Sequence, residues 1–387
     1  MVDSHQTRPD VHTPVTLLTG FLGSGKTTLL NRALRDPEMA GTLIVINEFG
    51  AIPIDHALTE ASNDAIVVLE NGCLCCTVFG DLVQTFNRLY HTRAAGEIAF
   101  DHVVIETSGL AEPAPVLQAF LSEPTLEGLW RVGTVITTVD AINGSGTLDQ
   151  HAVSVAQAAL ADQLIITKLD LLEPPARERA RASLTTRLRA INGGARILAA
   201  DEADADPIRL MRSATPDPSR GPESAAAWLD SAAGASAAHA DHEEHRHDED
   251  GHRHDDAIAT FNLIRDEALP REALSLLLSS LERHLGPKLL RVKGLIHVQE
   301  EPEHPAVVQG AQHLLHNLSW LSRWPDEDHR TRIVFITQGI AAEELSEMVQ
   351  LLDRVAQRTA AARARAAAQT QGQTQAPPPE AVGPWNG

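Results

Sequence analysis

The strongest constraint on this chain lies near its start. Gly20-Phe21-Leu22-Gly23-Ser24-Gly25-Lys26-Thr27 fits the pattern G-x-x-x-x-G-K-[ST]. It follows the apolar run Val15–Thr19 and opens the helical pattern Thr27–Leu34. That strand–loop–helix setting is the one in which the pattern wraps phosphate. Glycines let the backbone approach phosphate oxygens closely, and a helix N-terminus favours their negative charge. Gly20, Gly23, Ser24, Gly25, Lys26, Thr27 and Thr28 are therefore expected around the phosphates of a nucleotide. Lys26 should reach the β- and γ-phosphates, and the Thr27 hydroxyl should bind Mg²⁺.

The residues that follow suit an α/β domain. Leu43–Ile46, Ile66–Leu69, Val103–Ile105, Val135–Val139 and Leu164–Thr167 are short runs rich in β-branched residues. They alternate with helical stretches at Gly80–Tyr90, Pro115–Leu121 and Ala152–Ala161. Runs that are apolar throughout predict strands buried on both faces, hence a parallel sheet covered by helices. After about Asp201 strand signals vanish until Ala257–Ile264. A helical pattern at Arg271–His284, strands at Leu289–Val298, Val307–Leu315 and Thr331–Thr337, and a helix at Ala341–Val355 predict a small α+β domain. The expected boundaries are a P-loop domain at 14–200, a linker at 201–256, the α+β domain at 257–358 and a disordered tail at 359–387.

Two further strand ends carry chemistry. Val103-Val104-Ile105-Glu106-Thr107-Ser108-Gly109 is an apolar strand ending in an acid, with Gly three residues on. Glu106 would hold Mg²⁺ through water or orient the attacking water, and the Gly109 amide would face the γ-phosphate. Leu164-Ile165-Ile166-Thr167-Lys168-Leu169-Asp170 ends in K-x-D. Guanine presents a ring N–H and an amino group on one edge, and the Asp170 carboxylate can accept both while the Lys168 stem packs over the ring. Thr167 stands where the usual N-K-x-D form has Asn. Asp170 argues against the competing reading, an ATP-dependent small kinase on the same loop. Asn47-Glu48-Phe49-Gly50 follows the first helix and the next strand, where a nucleotide-sensing loop belongs.

All 3 cysteines of the chain fall in Asn71-Gly72-Cys73-Leu74-Cys75-Cys76. A disulfide framework would spread them along the chain; this cluster reads as metal or redox chemistry in a reducing compartment. Placement between a strand and a helix N-terminus favours thiolate, and thiolates suit Zn²⁺. Cys73, Cys75 and Cys76 leave room for a fourth ligand, which suits a site that must release its metal. A buried apolar cluster or a redox pair are the other readings. Of the 18 His, 6 lie between His239 and His254. His242, His245, His247, His252 and His254, interleaved with carboxylates, suit weak exchangeable metal binding; a merely solvated linker is the alternative.

Charge excludes some partners. The formal net charge is −20, and aromatics make up only 4%. A nucleic-acid surface needs a basic face and stacking rings, so none is expected. The acidity is concentrated: residues 201–256 hold 15 Asp and Glu against 5 Arg, half of the net charge. No apolar run reaches the roughly 18 residues of a membrane span. The N-terminus is polar and has no apolar signal core, which predicts a cytoplasmic protein.

In order, GFLGSGKTT, NEFG, NGCLCC, ETSGLAEPAPV and TKLD resemble the CobW-type metallochaperone GTPases, relatives of the urease and hydrogenase nickel-insertion GTPases. LLRVKGLIHV, VVQGAQHLLH and WPDEDHRTRIVFIT resemble the family's C-terminal domain. The resemblance implies a doubly wound, mainly parallel P-loop GTPase domain, an acidic His-rich linker and a smaller α+β domain. It implies GTP hydrolysis coupled to delivery of zinc, or cobalt, to a client protein, with Cys73, Cys75 and Cys76 supplying the cargo site. It permits nucleotide- or metal-dependent homodimerisation. Ala51 follows NEFG where many members have Glu, leaving Glu48 as the acid of that segment. A metal buffer or storage protein with nucleotide-regulated binding is the competing function.

Overall fold

The computed structural model describes residues 12–47, 66–68, 77–212, 258–311, 314–315 and 318–340, with single positions and short pieces between 344 and 365. The first sheet is built from β1 (Thr13–Gly20), β2 (Thr42–Asn47), β3 (Ile66–Val68), β4 (His102–Thr107), β5 (Trp130–Asp140), β6 (Gln163–Thr167) and β7 (Arg196–Ala199). These 7 strands run in the order β3-β2-β4-β1-β5-β6-β7, and every pairing is parallel. Alternating side chains enter two different cores. Val15, Leu17, Val45, Val103 and Ile105 pack on one face, and Leu18, Ile44, Ile46, Val104 and Ile136 on the other. Both faces are covered by helices, as continuous apolar runs require.

The helices that matter for the site are α1 (Lys26–Leu34), α2 (Thr77–Ala94), α3 (Ala114–Ser122), α4 (Ala152–Leu160), α5 (Pro174–Ile191) and α6 (Pro207–Arg212). Helix α6 lies inside the stretch expected to be linker. Its Leu210 and Met211 are buried on the sheet, and the Met211 carbonyl accepts from the Thr16 hydroxyl at 2.7 Å. Two apolar residues in a polar stretch are enough to extend the folded part to Arg212. The His-rich run, including His242, His245, His247, His252 and His254, lies outside the described residues, as does the tail beyond residue 365.

The second sheet is antiparallel. It contains β8 (Ile258–Arg265), β9 (Leu289–Ile296), β10 (Ala306–Ala311), β11 (Leu314–Leu315), β12 (Ser319–Trp320) and β13 (Thr331–Gln338). The order is β11-β10-β9-β13-β8, with β12 beside β10. The expected single strand Val307–Leu315 is two strands, because Leu314 and Leu315 turn back to pair with Ala311 and Gly310. Helix α7 (Arg271–Leu285) presents Leu274, Leu277, Leu281 and Leu285, spaced three and four apart, to one face of this sheet. Beyond it, the described positions from 346 to 351 are helical. The other face of β9 meets the first domain: Leu290, with Ile336 of β13, joins the core of the parallel sheet. Among the described residues no helix is long and apolar enough to cross a membrane.

Candidate nucleotide site

All strands of a parallel sheet end on the same side, so the loops after them converge. The loop after β1 is tied down on three sides. Gly20 has a left-side φ of 138°, and a Cβ there would lie 2.5 Å from the Thr138 carbonyl of β5, so only glycine fits. The Ser24 and Thr138 hydroxyls meet at 2.6 Å. Gly23 and Gly25 also take positive φ, and Gly25 leads directly into α1. The Lys26 ammonium is buried and donates to the carbonyls of Gly20 at 2.9 Å and Phe21 at 3.2 Å. It thus sits across the mouth of the loop, where phosphate oxygens would replace those carbonyls.

The acid and the hydroxyl expected to share a metal are in contact. Thr27 donates to Glu106 Oε1 at 2.7 Å, with Glu106 itself buried at the end of β4. A hydroxyl beside a carboxylate is a hard oxygen pair that suits Mg²⁺. Thr28 is exposed on the first turn of α1. Below them, Thr107 donates to Thr19 at 2.9 Å and fixes β4 against β1. Gly109 lies directly on the phosphate loop: a Cβ there would come within 2.6 Å of the Leu22 nitrogen. Any other residue would push the two loops apart.

The base loop follows β6, two strands from β1. Thr167 is buried, and its hydroxyl donates to the Ser24 carbonyl at 2.6 Å and approaches the Val139 carbonyl at 3.2 Å. Its one proton is committed to the phosphate loop, so it ties the two loops together rather than offering a donor to a base. Lys168 takes a left-handed backbone (φ 62°) and bonds Asp140 at 2.7 Å. Asp140 also accepts from the Ile142 and Asn143 amides at 2.7 and 3.3 Å. Burial would push the Asp140 carboxyl up, but the Lys168 bond and these amides hold it below its ordinary value. The Lys168 stem is thereby fixed beside the loop. Asp170 is exposed at the rim.

Two residues outside every motif hold this arrangement together. Asp140 ends β5 as Glu106 ends β4, and its apolar run followed by an acid is the signal that could have found it. Gln157 of α4 is fully buried and donates to the carbonyls of Gly109 at 3.2 Å and Ala111 at 3.0 Å. Nothing in the sequence distinguishes it from other helical glutamines.

Cys73, Cys75 and Cys76 fall between β3 and α2, and Glu48 follows β2; all four lie outside the described residues. Among the described residues, no group of three or more His, Cys, Asp or Glu is placed to hold a metal ion. The bracketing strands are nonetheless informative. Ile46 of β2 pairs with Val68 at the end of β3 and with Glu106 of β4. Val68, the last described residue before the cysteines, is therefore level with Glu106 on the same side of the sheet, with β2 between them.

A phosphate loop, an acid bonded to its threonine and a K-x-D loop two strands away define a P-loop nucleotide-binding domain. The family described as CobW/HypB/UreG, nucleotide-binding domain, matches residues 14–199, and the cobalamin synthesis protein cobW C-terminal domain matches residues 258–352. The chain belongs to the CobW/HypB/UreG family. It is 29% identical to the zinc chaperone YjiA of Escherichia coli over 331 residues, covering 86% of this chain and 96% of that protein. It is 35% identical to the zinc chaperone CobW of Pseudomonas aeruginosa, over 45% of this chain and 54% of that one. The Zn(II)-bound crystal structure of the E. coli YjiA GTPase superposes with a TM-score of 0.62 at 27% identity, covering 88% of this chain and 99% of that one.

Proposed function

We propose that this protein is a GTP-hydrolysing metallochaperone that takes up Zn²⁺ at Cys73, Cys75 and Cys76 and passes it to a client protein. The observation that carries this is a shared side of the sheet: β4, whose Glu106 bonds Thr27, and β3, the last described strand before the cysteines, end on the same side with β2 between them. The relatives named as zinc chaperones supply the cargo metal. Lys26 swings from the Gly20 and Phe21 carbonyls onto the β- and γ-phosphates and offsets the charge that develops in transfer. A Mg²⁺ ion held by Thr27 and Glu106 would supply further charge neutralisation there. Asp170 accepts the two donors of guanine, and Lys168, fixed by Asp140, lies along the ring. No side chain among the described residues on this side of the sheet stands as a general base, so intrinsic turnover is slow and is raised by metal or client.

The γ-phosphate contacts the segments after β2 and β4, between which the cysteines lie in sequence, so nucleotide and cargo sense each other. Linkage makes this measurable: if GTP changes metal affinity, metal changes GTP affinity by the same factor. Zinc competition titrations on the full chain with GDP and with a non-hydrolysable GTP analogue should differ by about 5- to 150-fold. Cys75→Ala should abolish the tight site and leave GTP binding intact. Equal affinities in the two nucleotide states would overturn the reading.

A further inference from the structure

We propose that Gln157 is the positioning residue for the Gly109 loop, and that its helix links this loop to the C-terminal domain. The proposal rests on the GTPase reading above. Helix α4 reads AVSVAQAAL, and Gln157 is its one long polar side chain, with no exposure to solvent. A buried amide costs stability unless hydrogen bonds compensate, and an apolar side chain would pack this position more cheaply. The compensation here is directed at one target. Both amide protons go to carbonyls of the loop after β4, at Gly109 and Ala111. Two carbonyl partners can only be served by the NH₂ group, which fixes the orientation of the amide. Its Oε1 has no hydrogen-bond partner among the described residues. The side chain is therefore held by what it donates.

The loop it holds leaves no slack. Gly109 already touches the Leu22 backbone of the phosphate loop, so its amide moves with Gln157. Helix α4 is itself anchored at both ends. At its start the His151 ring stacks on Phe21 of the phosphate loop, with centroids 4.5 Å apart. In the middle, Thr137 of β5 donates to the Gln157 carbonyl at 2.8 Å. At its end, Asn192 donates to the Ala158, Ala159 and Ala161 carbonyls, and Arg291 of β9 donates to the Leu160 carbonyl. While the Gln157 bonds hold, the Gly109 loop keeps its place relative to α4, and movement of α4 is felt at Arg291. Whatever binds the C-terminal domain and shifts β9 acts on the loop by the same route.

The test is GTP turnover by the full chain. Gln157→Leu removes both donors in a helix that is otherwise apolar. It should lower kcat about 10- to 100-fold, with GDP affinity and Tm close to those of the unaltered protein. Gln157→Glu should keep partial turnover only while its carboxyl is protonated, so its rate should fall with rising pH where that of Gln157→Leu does not. Arg291→Lys keeps a cation near Asp162 but loses the Nη1 donor to the Leu160 carbonyl. It should slow turnover in the unaltered protein and add nothing in Gln157→Leu. Unchanged kcat in Gln157→Leu, or a fall matched by equal losses in GDP affinity and Tm, would overturn the positioning role. Additive effects of Arg291→Lys and Gln157→Leu would overturn the link. An unaltered chain that hydrolyses no GTP would overturn the functional reading itself, and this inference with it.

Discussion

The two sheets place their polar side chains in different ways. In the parallel sheet one cluster of them gathers at the carboxyl ends of the strands: Thr19, Glu106, Thr138, Asp140 and Thr167 are all buried there and bonded to one another or to residues beside them. In the antiparallel sheet they lie on a strand face. Arg291 and Lys293 of β9 point away from α7 and meet Asp162, at the foot of β6, both at 2.5 Å. Strand direction explains the difference. Parallel strands end together, so their last residues can build one site, whereas successive antiparallel strands end on opposite sides of the sheet. The second domain therefore contributes a face, and that face is a joint.

The largest effect should come from the acid of that joint. Asp162 is buried, and it also accepts from the Val135 amide at 2.9 Å. Burial would raise its pKa, but Arg291, Lys293 and the Val135 bond hold it below the ordinary value. Asp162→Ala leaves two cations facing each other in the interface, and should cost about 3–5 kcal/mol in urea denaturation. A loss below about 1 kcal/mol would break the claim that this joint is held by charge. The nucleotide end should respond in the opposite way. Lys26→Ala should lower GTP turnover by about 10²- to 10³-fold while changing stability by less than about 1 kcal/mol. A stability loss as large as that of Asp162→Ala would mean the strand ends hold the fold as much as they hold a substrate.

Much of this arrangement is legible in the sequence, for a physical reason. Inner strands such as those holding Leu43–Ile46 and Leu164–Ile166 are buried on both faces, so these runs are apolar without interruption. Lys26, Thr27 and Glu106 are legible because a site for phosphate and a hard cation would demand particular residues at fixed spacing. Helix α5 is not, because it covers only a corner of the sheet: in 18 residues it buries just Leu184 and Leu188, and its periodicity is faint. Gln157 and Asp162 are illegible for another reason. Gln157 acts on a loop 48 residues earlier, and Asp162 on a strand 129 residues later. Proximity of that kind is created by the fold, and a single sequence carries no trace of it. Thr167 is an intermediate case. Its position in the K-x-D segment is visible, but only the structure shows its proton going to Ser24.

The smallest effect separates the two cations of the joint. Burial and the Arg291 charge lower the Lys293 pKa from 10.5 to about 8, against the opposing pull of Asp162. The folded protein thus releases this proton near pH 8, and the unfolded chain near 10.5. Between these values the unfolded chain binds more protons, so stability contributed at this position rises with pH. Below pH 8 both states are protonated, and the cost of burying the second cation is present in full. Lys293→Met removes that cost and leaves Asp162 paired with Arg291. At pH 7 it should change stability by no more than about 1 kcal/mol in either direction, since apolar replacement of a buried ion is commonly neutral or favourable. Between pH 8 and 10 the unaltered protein should gain on the variant. Paired denaturation curves at pH 7 and 9.5 measure both effects. A Lys293→Met loss as large as that of Asp162→Ala, or a gap that widens against the unaltered protein as pH rises, would show that the joint needs both cations. The structure argues instead that Asp162 is the limiting partner, since one buried acid faces two bases and Arg291 is also held by the Leu160 carbonyl of α4.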